Sequence, residues 1–316
     1  MRNVAFLVLA AACWGTGTVV SKQAVAEIAP LTLLPIQLAV SVLFLVILTR
    51  ARGIPLPKGR EGRLLGRLGL LNPGLAYALS LIGLAEITAS TSVLLWATEP
   101  LFILAFAAIV LGDRVGVAIL APSAMAVVGL GLVVLDPAAG GSTLGIVLTV
   151  AGVVVCAVYT VATRKWLLGS DSTFGVVLAQ QLYALGFAVV VAVALAATGR
   201  QMLPTQVSTA GLASAAASGL LYYAFAYSFY LSALRNVRAS IAAASFYLIP
   251  VFGVAGGWLA GERLEPLQWL GAILVVVSVA AITIRVARPA DQQGRQPSSA
   301  DASAQMALNP SDARRM

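Results

Sequence analysis

Apolar residues run through this chain in stretches of about 20 positions that carry almost no charge, broken by short polar connections. Ten such stretches are predicted: Asn3–Ser21, Leu31–Thr49, Leu68–Leu84, Thr88–Leu111, Val115–Leu135, Leu144–Thr163, Thr173–Thr198, Gln206–Leu231, Arg238–Ala260 and Leu267–Arg285. A helix of that length crosses a hydrocarbon core about 30 Å thick. Barrel strands would instead alternate polar and apolar positions over about ten residues, and these runs do not alternate. Lipid offers the backbone no hydrogen-bond partner, so helices satisfy their own polar groups. Punctuation such as Ala29-Pro30, Asp136-Pro137 and Gly169-Ser170-Asp171 marks the breaks. Past Arg288 the pattern stops, and residues 289–316 read as a disordered cytoplasmic tail that lacks the apolar content to offset chain entropy.

Composition agrees with an all-α integral membrane protein. Hydrophobic residues make up 60% of the chain and charged ones 10%, against about 45–50% and about 25% in soluble domains. The net charge of +8 invites a nucleic-acid partner until the cations are placed. With ten spans and the N-terminus inside, 17 of the 20 Lys and Arg fall on the cytoplasmic side and only Lys22, Arg200 and Arg263 outside. That asymmetry orients a multi-pass protein and predicts both termini in the cytoplasm, with the lipid bilayer and not nucleic acid as the large partner. Cys13 and Cys156 lie inside apolar spans and read as packing residues.

The chain also repeats itself. Thr18-Val19-Val20-Ser21-Lys22 resembles Thr160-Val161-Ala162-Thr163-Arg164, Ala89-Ser90 with Pro100 resembles Ala239-Ser240 with Pro250, and Gly112-Asp113-Arg114 resembles Gly261-Glu262-Arg263. Three anchors in one order divide the chain into residues 1–140 and 141–288. Five spans per half is an odd number, so the second half starts from the opposite side of the membrane. Inverted halves of this kind underlie alternating access in many secondary transporters.

These anchors resemble the EamA-type halves of the drug/metabolite transporter superfamily. The small-residue-Trp-Gly entry stands here as Cys13-Trp14-Gly15, the mid-span prolines as Pro100 and Pro250, and each half ends on a Gly-acid-Arg stop. The chain departs from the pattern at Cys156-Ala157, where Trp-Ala is usual. The resemblance covers residues 3–286. It implies a carrier in a bacterial-type inner (plasma) membrane, exporting amino acids or related small metabolites as a monomer or weak homodimer. Its cavity would be walled by spans 1, 3, 4, 6, 8 and 9, with spans 5 and 10 peripheral.

Within that frame Glu99 is the most informative residue, the one acid deep inside a predicted span. An ionisable group at that depth costs roughly 2.5–3.5 kcal/mol on insertion scales and so faces a cavity or a partner. It can receive a substrate ammonium or a coupling proton; a protonated acid bonded to a carbonyl freed by Pro100 is the structural alternative. Helical spacing sets Ser92, Trp96 and Ile103 on its face. Trp14 and Thr18 share a stripe with Lys22 in span 1, and Tyr223 and Tyr227 share one in span 8. Tyr77, Tyr159, Gln180, Tyr183, Ser245 and Tyr247 complete the candidate substrate-binding set. Pro100 and Pro250 are candidate hinges, since proline removes a helical hydrogen bond. Lys22 reads as a residue reaching for the interface, with a gating role as its rival.

Several chemistries drop out. No phosphate-binding GxxxxGK[ST] loop occurs, no aspartate lies in a span interior and the chain has no histidine. A Ser–His hydrolase and His-ligated metal chemistry are therefore excluded, and neither enzyme activity nor a cofactor is expected. A broad-specificity drug or cation exporter and a non-transporting scaffold are the remaining rivals.

Overall fold

The computed structural model describes residues 2–111, 117–134, 142–167, 173–199, 206–234 and 248–293. These residues are helical between short turns, with no strand among them. The order is α1 (Arg2–Val25), α2 (Pro30–Ala51), α3 (Gly59–Arg67), α4 (Ala76–Glu86), α5 (Ala89–Trp96), α6 (Glu99–Leu111), α7 (Val117–Val134), α8 (Thr143–Leu167) and α9 (Thr173–Ala197). It continues with α10 (Thr209–Ser218), α11 (Ala226–Leu234), α12 (Leu248–Leu259) and α13 (Pro266–Gln293). Five helical stretches are long and apolar enough to cross a membrane: Asn3–Val25, Pro30–Ala51, Gly59–Glu86, Thr143–Ala162 and Phe174–Ala197. The outward surface is itself apolar, with Leu43, Ile47, Val190 and Val193 all more than 60% exposed. Such a band suits lipid and not water.

Several predicted spans differ from the structure; the last runs on, since α13 continues to Gln293 and residues 289–293, expected in the disordered tail, are helical. The third begins at Gly59 and not at Leu68, because the charged stretch around Arg60, Glu61 and Arg63 still forms the helix α3. A short 3-10 turn (Leu68–Leu70) and a π turn (Leu71–Leu75) then join α3 to α4, with Asn72 out of helical geometry at φ −142° and ψ 119°. The fourth span is two helices, broken between Trp96 and Glu99. Pro100 has no N–H to offer the Trp96 carbonyl, and the Thr98 hydroxyl donates to the preceding carbonyl, Leu95 O, at 2.6 Å. Proline sits here in the first turn of α6, where a missing donor is tolerated.

Small residues set the packing distances, as expected where lipid supplies no hydrophobic drive between helices. A Cβ on Gly83, Gly145 or Gly152 would strike the facing helix of the α4–α8 pair, and one on Gly15 would meet the Ile249 carbonyl of α12 at 2.6 Å. Some of these contacts are reciprocal between the halves. Gly69 lies against the backbone of Gln180, and Gly219 against the backbone of Gln37. Gly129 of α7 and Gly271 of α13 face each other, each blocked by the other's carbonyl oxygen. A second π turn, Gly219–Phe225, joins α10 to α11 as the first joins α3 to α4.

Between these helices lies a buried polar network that hydropathy does not reveal. The fully buried Gln37 amide donates to Ser21 Oγ at 3.0 Å and to Ser218 Oγ at 2.7 Å. Ser41 Oγ donates to Gln181 Oε1 at 2.7 Å, and Gln181 Nε2 donates to the Tyr223 carbonyl at 3.2 Å. Spans 1, 2, 7 and 8 are tied together by these bonds.

Charged residues tie one end of the bundle. Lys22 Nζ donates to the Leu84 and Ala85 carbonyls at 2.9 and 3.0 Å, where the last turn of α4 leaves acceptors free. It therefore caps the end of a helix. Glu262 accepts from Ala89 N, Ser90 N and Ser90 Oγ at 2.6, 2.9 and 2.6 Å, so an acid of the second half caps α5 of the first. Arg263 turns back onto the Trp258 carbonyl at 2.8 Å and closes α12. Glu262 and Arg263 thus act apart rather than as one helix stop, while Asp113-Arg114 lies outside the described residues.

Candidate functional site

The break in span 4 and the π turns of spans 3 and 8 face one another around a cavity of about 440 Å³. Trp14 and Thr18 come from α1, Trp96 from the end of α5, Glu99 and Pro100 from the start of α6, and Ile249 and Pro250 from α12. Tyr77 follows the first π turn, and Tyr222 and Tyr227 flank the end of the second. That volume lies in the range of small-molecule sites.

Among the described residues, Glu99 is the one carboxylate on this wall and no Lys or Arg lines it. Thr160 Oγ1 donates to Glu99 Oε1 at 3.2 Å, and the Cys156 thiol lies within hydrogen-bonding reach of the same carboxyl. Around this acid the walls are aromatic. Trp14 meets Tyr227 edge-on at 5.4 Å between ring centres, and Tyr77 contacts Trp96 at 5.4 Å and Tyr222 at 5.3 Å. A smaller cavity of about 20 Å³ lies beyond Tyr77, lined by Ser21, Ser80, Ser92 and Tyr223 among others. It shares Thr18, Tyr77, Trp96 and Tyr222 with the large one.

Of the candidates from the sequence, Glu99, Trp96, Trp14, Thr18, Tyr77, Tyr159, Tyr227, Pro100 and Pro250 meet at the large cavity. Three do not. Tyr223 is 2% exposed and lines only the small cavity, its hydroxyl 3.5 Å from Gln37 Oε1. Gln180 is buried off the wall, accepting from the Tyr159 hydroxyl at 2.8 Å. Tyr183 points outward at 37% exposed, its ring against Gly66. Helical periodicity gave each its face but not the neighbour that covers it. Ser245 and Tyr247 lie outside the described residues. Span 10, expected at the periphery, contributes Val276 to the wall.

Several wall residues were missed as ligand contacts, Tyr222 and Tyr230 among them. Cys156 read as a packing residue but lines the cavity beside Glu99. Thr160, its neighbour one turn along α8, bonds the same acid. Asn72 was given no role from the sequence; in the structure it stands midway along Gly59–Glu86 and lines the cavity. Asn-Pro-Gly inside an apolar run was its signal. Among the described residues no group of His, Cys, Asp and Glu could hold a metal ion.

A family model described as the EamA-like transporter family matches residues 1–135 and again residues 143–284. One crystal structure of a protein aligns over 91% of this chain and 98% of its own, with a TM-score of 0.63 and 19% identity, a likeness of fold. No curated protein sequence matches the chain.

Proposed function

The chain belongs to the EamA-like transporter family, and from that premise we propose that it is a secondary transporter exporting amine-bearing small metabolites, amino acids or related compounds, by alternating access. In this reading ten spans form two inverted halves, residues 1–140 and 141–288, with both termini in the cytoplasm and residues 289–316 as a tail. The membrane is a bacterial-type inner membrane. The two stretches matched by one family model support the halves, as do the reciprocal contacts Gly69–Gln180 and Gly219–Gln37.

The observation that carries the proposal is a cavity of about 440 Å³ walled by residues of both stretches, with Glu99 the one carboxylate among the described residues that line it. Glu99 receives the amine, and the rings of Trp14, Trp96, Tyr77 and Tyr227 enclose the rest of the molecule. A proton is the alternative occupant of Glu99 when the cavity is empty. Pro100 lies at the start of α6 and Pro250 in α12, both beside the cavity, where tilting a short segment changes its access. Ties such as Glu262 to Ser90 would release when that end opens. No catalytic step and no cofactor are assigned.

Reconstitution into liposomes tests this. Vesicles preloaded with unlabelled amines and amino acids should accumulate the matching radiolabelled compound by counterflow, and Glu99→Gln should abolish it. Folded protein that exchanges none of these compounds would leave the scaffold reading in possession.

A further inference from the structure

The end of the bundle where α2 stops and α3 starts is strongly cationic. Residues 50–67 carry Arg50, Arg52, Lys58, Arg60, Arg63 and Arg67 against the single acid Glu61, and all six cations are exposed. On α3 they are sorted by face. Arg60, Arg63 and Arg67 are spaced i, i+3 and i+7 and form one row, while Gly62, Leu65 and Gly66 are buried on the opposite side. Close packing fixes that buried side: a Cβ on Gly62 would meet the Pro57 backbone, and one on Gly66 the ring of Tyr183. The helix is thereby kept from rolling, and the guanidinium row is held outward.

Depth and neighbours decide what this row meets. The helical stretch Gly59–Glu86 has 28 residues, about 42 Å at a rise of about 1.5 Å each, against a hydrocarbon core of about 30 Å. The excess puts the charged first turns at the level of the lipid phosphates. Apolar surface adjoins the cations on both helices. Leu43, Ile47 and Arg50 follow one another at i, i+4 and i+7 on α2, the two aliphatic residues 62% and 61% exposed. Leu70, 40% exposed, continues the line of Arg63 and Arg67. An acyl chain lying along such a strip brings its headgroup to the arginines, and guanidinium meets phosphate through two parallel hydrogen bonds. Cations at the other end are engaged differently: Lys22 and Arg263 donate to backbone carbonyls, and Glu86 and Glu262 lie near Lys22.

We propose that the outward row of α3, with Arg50 and Arg52 at the end of α2, is a binding surface for the phosphate headgroups of anionic phospholipids in the leaflet at that end. The lipid sits beside the bundle and apart from the cavity, so this site stands whatever the cavity carries. Each cation beside an anionic membrane surface strengthens attachment about fivefold. A zwitterionic headgroup presents its phosphate with its own cation alongside and gains less from the row. Three arginines on one helix face therefore give a preference between two lipids that share the same tails.

Native mass spectrometry of the purified full chain tests this, with phosphatidylglycerol and phosphatidylcholine of identical acyl chains supplied together. Phosphatidylglycerol should be retained about tenfold or more over phosphatidylcholine, and the preference should shrink as salt rises from about 0.05 to about 0.5 M. Arg60→Gln, Arg63→Gln and Arg67→Gln combined should cut the preference to about twofold or less and leave phosphatidylcholine binding unchanged. Arg60→Lys, Arg63→Lys and Arg67→Lys should keep most of it. Substituting exposed side chains changes stability little, and the melting temperature of each variant checks its folding. Millimolar inorganic phosphate should leave the lipid bound; displacement would assign the arginines to a soluble phosphate ligand and overturn the proposal. Equal retention of the two lipids would overturn it too, as would an undiminished preference in the glutamine variant. The lipid, salt and phosphate arms use the unmodified protein, so they can refute the proposal even if that variant does not fold. Arg50→Gln with Arg52→Gln then locates the site from α2, with an expected loss of about threefold or more.

Discussion

Gln37 shows what a single buried side chain does in this molecule. Its amide joins Ser21 and Ser218 from two other spans, and it has no exposed surface. Replacing it with leucine keeps the bulk but leaves both hydroxyls short of a partner. Gln37→Leu should lower unfolding stability in detergent by about 1–2 kcal/mol, read by denaturant titration; an unchanged midpoint would show the network to be incidental. Hydropathy could not find this network, because an uncharged glutamine barely dents the mean of an apolar run. Glu99 and Trp96 were legible for the opposite reason, since a charge and a large ring in mid-span have few places to go. Tyr183 carried a similar signal and proved to face outward. Mid-span placement does not tell which face the neighbouring helix covers.

At the scale of elements, run length placed the helices, while their interruptions escaped. Nothing in the hydrophobic pattern of Thr88–Leu111 marks the break between Trp96 and Glu99, because both segments remain apolar. Pro100 hinted at it, but proline acts on the residues before it, and the turn falls at Ala97-Thr98. The helix starts are set by contacts distant in sequence, which no local reading supplies. Glu27, in the turn after α1, accepts from Ser208 Oγ at 2.7 Å and Ser208 N at 2.8 Å at the N-terminus of α10. Those two bonds hold its carboxyl below the usual 4.5. A depressed pKa means the tie is fully present above the unfolded value and is lost as pH falls through the folded one. Glu27→Gln should therefore reduce the melting temperature slightly at neutral pH, with the gap closing as acid protonates the native carboxyl. A gap that stays constant down to pH 3 would assign the effect to something other than charge.

Across the whole molecule the two halves share a plan and differ in chemistry. The sequence pairs Trp14 with Cys156 and Glu99 with Ile249, and all four of these residues line the cavity. The anchors recur in order along the sequence; that the paired positions line one space required the fold. The halves also meet at Gly129 and Gly271, where each carbonyl occupies the room a side chain would need. A branched residue there would force α7 and α13 apart. Gly271→Val should sharply reduce the yield of monodisperse protein on size-exclusion chromatography, whereas Gly186→Val, at a site with open space around it, should not.

The chain has two thiols, and their surroundings differ. Cys13 is packed among Ala10, Trp14 and Ala226, whereas Cys156 stands on the cavity wall beside Glu99. The unmodified protein thus carries its own chemical footprint of the binding space. A small uncharged maleimide that enters the cavity should alkylate Cys156 slowly, since the neighbouring Glu99 carboxyl disfavours its thiolate, and a bound amine should slow that reaction several-fold. Intact-mass spectrometry with peptide mapping would then count occupancy one adduct at a time, with no label engineered in; a Cys156 rate that bound amine leaves unchanged would contradict its place at the binding space.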